Sequence, residues 1–201
     1  MQTKAKGLAV IVLGLPGAGK NTVAEMAAKH GRLHHIQTGE HFRKVAPEIT
    51  RTGELAPDKL ADEFVFGEIA VADPHSIIVL NGYPRTKAQS EKALGALRRV
   101  GYRVLVIELR IPLETSIDRQ LERYQKAVKK GHPARPEDSD IKIVNRRSHT
   151  HNDQIEDVLN FLIREKVQFV RIMATPPPEQ VAATFIKTIT EVQRDMGLPA
   201  S

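Results

Sequence analysis

LAVIVLGLPGAGKNT, residues 8–22, decides the fold. Its first part, LAVIVL (8–13), is a short, near-continuous apolar run rich in Val and Ile, the pattern of a strand buried on both faces. Residues 19–31 then read as a helix ending at Gly31. Between strand and helix lies GLPGAGK (14–20), which satisfies the spacing G-x-x-x-x-G-K. Backbone N–H groups can curl around a phosphate only where side chains do not obstruct it, and a helix N-terminus adds positive potential. Lys20 then reaches the β- and γ-phosphates as a mobile point charge. A glycine-rich turn with a chance lysine would not explain the strand before it and the helix after it. The segment points to the phosphates of a nucleoside triphosphate.

Working outward, the same alternation continues to the end of the chain. LHHIQ (33–37), SIIVL (76–80), RVLVIEL (103–109) and KVQFVRI (166–172) are strand-like. Helical patterns fall at about 58–72, 86–100, 113–128, 140–165 and 178–195. Strands alternating with helices imply an α/β fold, a parallel sheet covered on both faces. There is no internal repeat, and one domain of 201 residues suffices. Two stretches break the rhythm. Residues 38–72 hold two helical patterns with no strand between them, and YQKAVKKGHPARPEDS (124–139) is polar with one Gly and two Pro. Polar excursions of this kind are often lids or binding loops.

Composition narrows the function classes. Aromatics are 4% with no Trp, which argues against nucleic-acid binding by rows of stacking side chains. With no Cys, disulfides, cysteine-zinc sites, iron–sulfur clusters and thiol nucleophiles are excluded, in keeping with a reducing, cytoplasmic setting. Lys4 and Lys6 before the apolar run give it the outline of a secretory signal, but Pro16, three glycines and Lys20 argue against that. No segment approaches the ~18 apolar residues of a membrane span. The net charge is +6, and it is local: residues 119–147 hold nine Lys/Arg against four Asp/Glu.

The glycine-rich segment departs from the commonest pattern at one place. Asn21 stands where a metal-binding Ser or Thr is usual, and Thr22 follows it. A Gly-Lys-x-Thr ending resembles the adenylate kinase and nucleoside monophosphate kinase family, and further segments carry the likeness in order. QTGEHFR (37–43) is similar to the family's S-T-G-D-x-x-R, and GELAPD (53–58) to its G-x-L-V-P-D. NGYPRTKAQ (81–89) resembles D-G-F-P-R-T-x-x-Q. DRQLER (118–123) resembles a segment with arginines four apart, and RPED followed by Arg146 and Arg147 resembles the lid motif.

The resemblance implies a P-loop fold: a five-stranded parallel sheet with helices on both faces, an acceptor-binding insert at about 38–72 and a short, zinc-free lid at about 124–138. It implies ATP and a nucleoside monophosphate as substrates, AMP foremost, with Mg²⁺ carried on ATP and the protein acting as a cytoplasmic monomer. The donor site would comprise Gly14, Pro16, Gly17, Ala18, Gly19, Lys20, Asn21 and Thr22, with Arg119 over the adenine and Arg123 on the phosphates. Thr38, Gly39, Arg43, Leu55, Pro57, Gly82, Arg85 and Gln89 would hold the acceptor, Arg43 on its phosphate and Gln89 on its base. Lys20, Arg85, Arg123, Arg135 and one of Arg146 and Arg147, with Arg146 preferred, would act on the transferring phosphoryl group. Arginine suits the task, because its rigid fork pairs bidentately with phosphate and stays charged.

Local readings stand beside these roles. Thr38 precedes a helix and could serve as its N-cap. The basic cluster could be a solvated face or a nucleic-acid patch; its arginines fall at family positions, so phosphate clamping is preferred, while Lys126, Lys129 and Lys130 match nothing specific. His149 and His151, two apart on a helix, point to different faces and do not form a metal pair. No direct metal ligand is expected, with Asn21 and Asn81 the only candidates near the ion. Asn81 stands where the family has an Asp, so a UMP or CMP kinase and a catalytically weakened nucleotide-binding relative both stay open.

Overall fold

Strands that are apolar on both faces must lie between two layers of helices, and the chain folds that way. The computed structural model describes residues 5–51 and 54–198. Along the chain run β1 (Gly7–Leu13), α1 (Lys20–Ala27), β2 (Leu33–Gln37), α2 (Thr38–Val45), α3 (Pro47–Arg51), α4 (Asp58–Val71) and β3 (Ile77–Asn81). There follow α5 (Lys87–Arg99), β4 (Tyr102–Arg110), α6 (Leu113–Lys129), a 3₁₀ turn at Pro136–Asp138, α7 (Ile141–Arg164), β5 (Gln168–Met173) and α8 (Pro178–Asp195). The strands form one five-stranded sheet in the order β2-β3-β1-β4-β5, and every pairing is parallel.

Alternate residues of each strand feed opposite cores. Leu8, Val10 and Val12 of β1 pack with Leu105 and Ile107 of β4 beneath Val23 of α1 and Phe185 of α8. Ala9, Ile11 and Leu13 pack with Ile78, Leu80 and Val106 against Val65 of α4, Leu94 and Leu97 of α5, and Val158 and Leu162 of α7. Both faces of the central strands β1, β3 and β4 are therefore dry, as the interior of a parallel sheet requires, while the edge strands β2 and β5 are only partly covered. All the strand carboxyl ends then open on one side, where the connecting loops can build a site. Among the described residues, no helix is long and apolar enough to cross a membrane.

Three details differ from the sequence reading. The helix expected over 19–31 stops at Ala27; the amides of Lys29 and His30 then bond back three residues, to Met26 and Ala27, in a tightened last turn. Within 38–72 a short third helix, α3, has no buried residue and so leaves no apolar period to read. At 124–138, residues 124–129 are the last turns of α6, and the irregular part is confined to the loop that ends in the 3₁₀ turn.

Leu105 lies fully buried at the centre of the sheet, in register with Val10. Leu105→Ala should lower stability by about 2–5 kcal/mol, read in urea as a lower midpoint with an unchanged slope. A loss under about 1 kcal/mol would mean that the core collapses freely around the cavity.

Candidate active site

The loop after β1 is shaped by contacts that only glycine permits. Gly14 has φ +146°, and a Cβ there would sit 2.5 Å from the Leu109 carbonyl oxygen of β4. The loop therefore lies hard against the neighbouring strand end. Lys20 opens α1 and folds back over the loop, its Nζ donating to the carbonyls of Gly14 at 2.6 Å and Leu15 at 3.0 Å. The amide of Ala18 is used within the loop, donating to Leu15 O.

In front of the loop is a cavity of about 270 Å³ on which six cations converge: Lys20, Arg43, Arg85, Arg123, Arg135 and Arg147. They come from α1, α2, the loop after β3, α6, the segment before the 3₁₀ turn, and α7. Gly14, Pro16, Gly17, Gly19, Asn21, Thr22, Gly39 and Gly82 line the same space. Burial and the arginines at 85, 123, 147 and 135 push the Lys20 ammonium down to about 7. Burial also lowers Arg85, helped by Arg147 and Arg43, and Arg135, helped by Arg123 and Arg43, each to about 10. Both guanidinium groups remain charged at neutral pH.

Asp138 holds part of this array together. It is fully buried, and its carboxylate accepts from Arg123 Nε at 2.8 Å and from Arg147 Nη2 at 3.1 Å. Arg147 also donates to Gln120 Oε1 and to the Glu137 carbonyl. Arg43 reaches across from α2 to Glu137 Oε1 at 3.4 Å, so the insert and the lid touch. Of the two arginines that the sequence left open, with Arg146 preferred, the cavity lining includes Arg147. Asp140 caps α7, and from that start the helix turns buried Arg147 inward and leaves Arg146 exposed, outside the cavity lining.

Around β3 the contacts are polar and neutral. Asn81 Nδ2 donates to Asn21 Oδ1 at 2.6 Å and lies 3.3 Å from His35 Nε2; Asn21 Nδ2 donates to Gln37 Oε1, whose amide meets His35 Nδ1 at 3.1 Å. Burial pushes the His35 imidazole down to about 4. Thr38 is the first residue of α2 and not its cap. Gln37 occupies that position without a capping side chain, while Thr38 Oγ1 donates to the Gly82 carbonyl at 2.8 Å. A Cβ on Gly82, at φ +83°, would meet that hydroxyl at 2.7 Å, so the turns after β2 and β3 are locked together.

The remaining expected residues lie at the edges. Thr38, Gly39, Leu55, Gly82, Arg85 and Gln89 line a small adjoining pocket of about 40 Å³; Pro57 caps α4 outside both spaces, and Gly53 falls outside the described residues. Gln89 is buried with its amide engaged on both sides: Oε1 accepts from Arg85 N at 2.7 Å and Nε2 donates to Asp58 Oδ1 at 2.8 Å. Arg119 sits on the far rim, bound to the carbonyls of Gly17, Ala174 and Thr175. Four contributors had no role of their own in the sequence reading: Glu137 and Asp138, quoted only within the lid motif, Gln120, quoted only within DRQLER, and His151, considered only as a metal ligand. His151 follows Arg147 by four residues, the helical spacing that puts both on one face, and it lines the cavity.

Comparison with known proteins agrees with this geometry. A family model described as an AAA domain matches residues 13–143. The chain is similar to an adenylate kinase of Deinococcus radiodurans, 30% identical over 173 residues, which cover 81% of this chain and 87% of that protein. An adenylate kinase of Bartonella tribocorum is 33% identical over 148 residues, 68% of this chain and 77% of its own. One from Deinococcus deserti is 31% identical over 171 residues, 79% and 85% of the two chains.

Two site histidines make stability sensitive to acid. His35 and His151 are held neutral below the ordinary histidine value of 6.5, His35 at about 4 and His151 lower than usual by burial and by Arg85, Arg147 and Lys20. An unfolded chain therefore takes up protons there that the folded one refuses, and stability is lost as pH falls below that ordinary value. The melting temperature of the protein without nucleotide should drop steadily from about pH 7 to about pH 5, less steeply in His35→Gln. A flat profile over that range would mean that neither ring is held neutral by the fold.

Proposed function

The chain belongs to the adenylate kinase family, and from that premise we propose that it transfers the γ-phosphoryl group of ATP to a nucleoside monophosphate, AMP foremost, giving two ADP. The observation that carries the reading is the convergence of six cations, drawn from the P-loop, the insert, the lid and the central helices, on one cavity. Two phosphate chains meeting end to end supply the negative charge that such a space needs, and catalysis of this type is positioning plus neutralisation.

In this reading ATP's phosphates lie in the cradle of Gly14, Pro16, Gly17, Ala18 and Gly19, with Lys20 leaving its loop carbonyls to follow the β- and γ-phosphates. Arg119 lies beside the adenine. Arg43 holds the acceptor phosphate, and Arg85, Arg123, Arg135 and Arg147 surround the group in transit, with Arg147 in the place given to Arg146 by sequence. Thr38, Gly39, Leu55, Pro57, Gly82 and Gln89 frame the acceptor nucleoside. Since both ends of the Gln89 amide are already bonded, it must exchange a partner to read a base edge. Closure of the 124–138 lid over the cavity excludes water that would otherwise hydrolyse the donor.

Mg²⁺ would arrive on ATP, since it prefers oxygen ligands, keeps several waters and uses substrate phosphates. The amide oxygens of Asn21 and Asn81 fit such a hydrated ion as neutral partners for its waters, although Asn21 Oδ1 already accepts from Asn81. The ion supplies charge neutralisation across the phosphates. The reading extends to a cytoplasmic monomer acting on free nucleotides; that all six cavity cations come from one chain supports the monomer.

A coupled assay with ATP and AMP, UMP, CMP or GMP tests the proposal. AMP should give the highest kcat/KM, and Lys20→Ala should cut turnover about 10³-fold without unfolding the protein. A pyrimidine monophosphate outpacing AMP would overturn the substrate, and a wild type without turnover on any of them would favour a nucleotide-binding protein that has lost catalysis.

The family's Asp at this position would place a negative charge beside the waters of a bound Mg²⁺, and Asn81 would offer them only a neutral amide. Losses at such positions typically cost about 10–100-fold in metal affinity or activity. Asn81→Asp should therefore lower the Mg²⁺ concentration for half-maximal rate at saturating nucleotides. An unchanged midpoint and rate would remove Asn81 from metal handling.

A further inference from the structure

His151 stands in the cavity wall with a hydrogen-bond pattern that fixes its chemistry. Its Nε2 lies 3.3 Å from Arg85 Nη1. A guanidinium only donates, so Nε2 must be the bare, accepting nitrogen and the ring proton must sit on Nδ1. Nδ1 is buried and has no protein partner, so no other protein contact selects the tautomer.

Arg85 from the loop after β3 contacts the ring, and Arg147, one turn earlier on α7, and Lys20, at the head of α1, line the same cavity and add to the field on it. All three are cationic side chains. A proton on Nε2 would both abolish the acceptor and add a charge among like charges. Burial and these neighbours hold the ring well below its ordinary pKa, in agreement with the hydrogen bond.

For Arg85, the contact supplies the second of two fixed points. Its Nε donates to the Gly82 carbonyl at 2.7 Å, and Nη1 donates to His151. One anchor lets a planar guanidinium swing about the bond; two anchors at different nitrogens fix its plane and its outward edge. We infer that His151 is a positioning residue: as the neutral Nδ1–H tautomer it fixes the Arg85 guanidinium in the orientation from which it meets the transferring phosphoryl group. The inference rests on the kinase reading for the role of Arg85, while the tautomer itself does not.

The test has two arms. In protein labelled with ¹⁵N-histidine, long-range ¹H–¹⁵N correlation should show His151 with protonated Nδ1 and bare Nε2, unchanged from about pH 8 to about pH 6. An Nε2–H tautomer, or an ordinary titration in that range, would overturn the inference whether or not the protein is a kinase. In the second arm, His151→Phe should reduce kcat about 10–100-fold with little change in KM for either nucleotide, as expected from a misplaced but present Arg85. His151→Gln, whose amide oxygen can accept from Arg85, should recover most of the rate. Equal damage in both variants would mean that the ring acts only through packing, and full activity in the Phe variant would mean that it positions nothing. Should the Phe variant fail to fold, the spectrum and the Gln variant still decide. Absence of turnover in the wild type would refute the kinase reading and leave the spectroscopic result standing.

Discussion

Like charges gathered into one small space repel, and the site is organised around containing that repulsion. Lys20 and five arginines line the cavity, and buried Asp138 is shared by two of them, Arg123 and Arg147. A carboxylate buried between two guanidinium groups is well compensated, whereas removing it would leave two partly buried cations facing each other. Burial first, and then the repulsion left over from Arg85, Arg123, Arg147 and Arg135, push the Lys20 ammonium down to about 7. A polyanion entering the cavity gains attraction and relieves repulsion in the same step.

The sheet makes that gathering geometrically feasible. Because every strand is parallel, β1 and β3 end side by side, and the loops after them carry the glycine-rich cradle and Arg85 to the same edge. The turn after β2 is tied in by the Thr38 hydroxyl on the Gly82 carbonyl. Behind the cradle, Asn21, Asn81, Gln37 and His35 form a hydrogen-bonded set without a carboxylate. The negative charge that steadies the arginines is thus placed at Glu137 and Asp138, and not behind the glycine-rich loop.

Much of this was legible in the sequence. The central strands β1, β3 and β4 were readable because burial on both faces leaves unbroken Val-, Leu- and Ile-rich runs, whereas the edge strands β2 and β5 are only partly buried and carry a weaker pattern. The glycine-rich loop was readable because close backbone approach demands glycine at fixed spacing. What escaped depends on three-dimensional phase. Choosing between Arg146 and Arg147 requires knowing where α7 starts, since one residue turns a side chain by about 100°. The Asp140 cap sets that phase, and His151 acquires meaning only once Arg147 is known to face inward. Helix α3 and the 3₁₀ turn were invisible for a related reason. The helix buries nothing, and the turn buries Glu137 and Asp138, charged residues that sequence patterns assign to the surface.

Helix α7 joins two properties that many proteins keep apart. Its first half carries Arg147 and His151 into the cavity, and its second half presses Val158, Leu159 and Leu162 into the core beneath the sheet. The helix is one rigid rod, so a change in how its buried end seats will tilt its reactive end. Displacements near 1 Å can cost about 10²-fold in rate. A substitution that repacks the helix under Val158 therefore also re-aims Arg147 and His151, so the two ends of α7 are mechanically coupled.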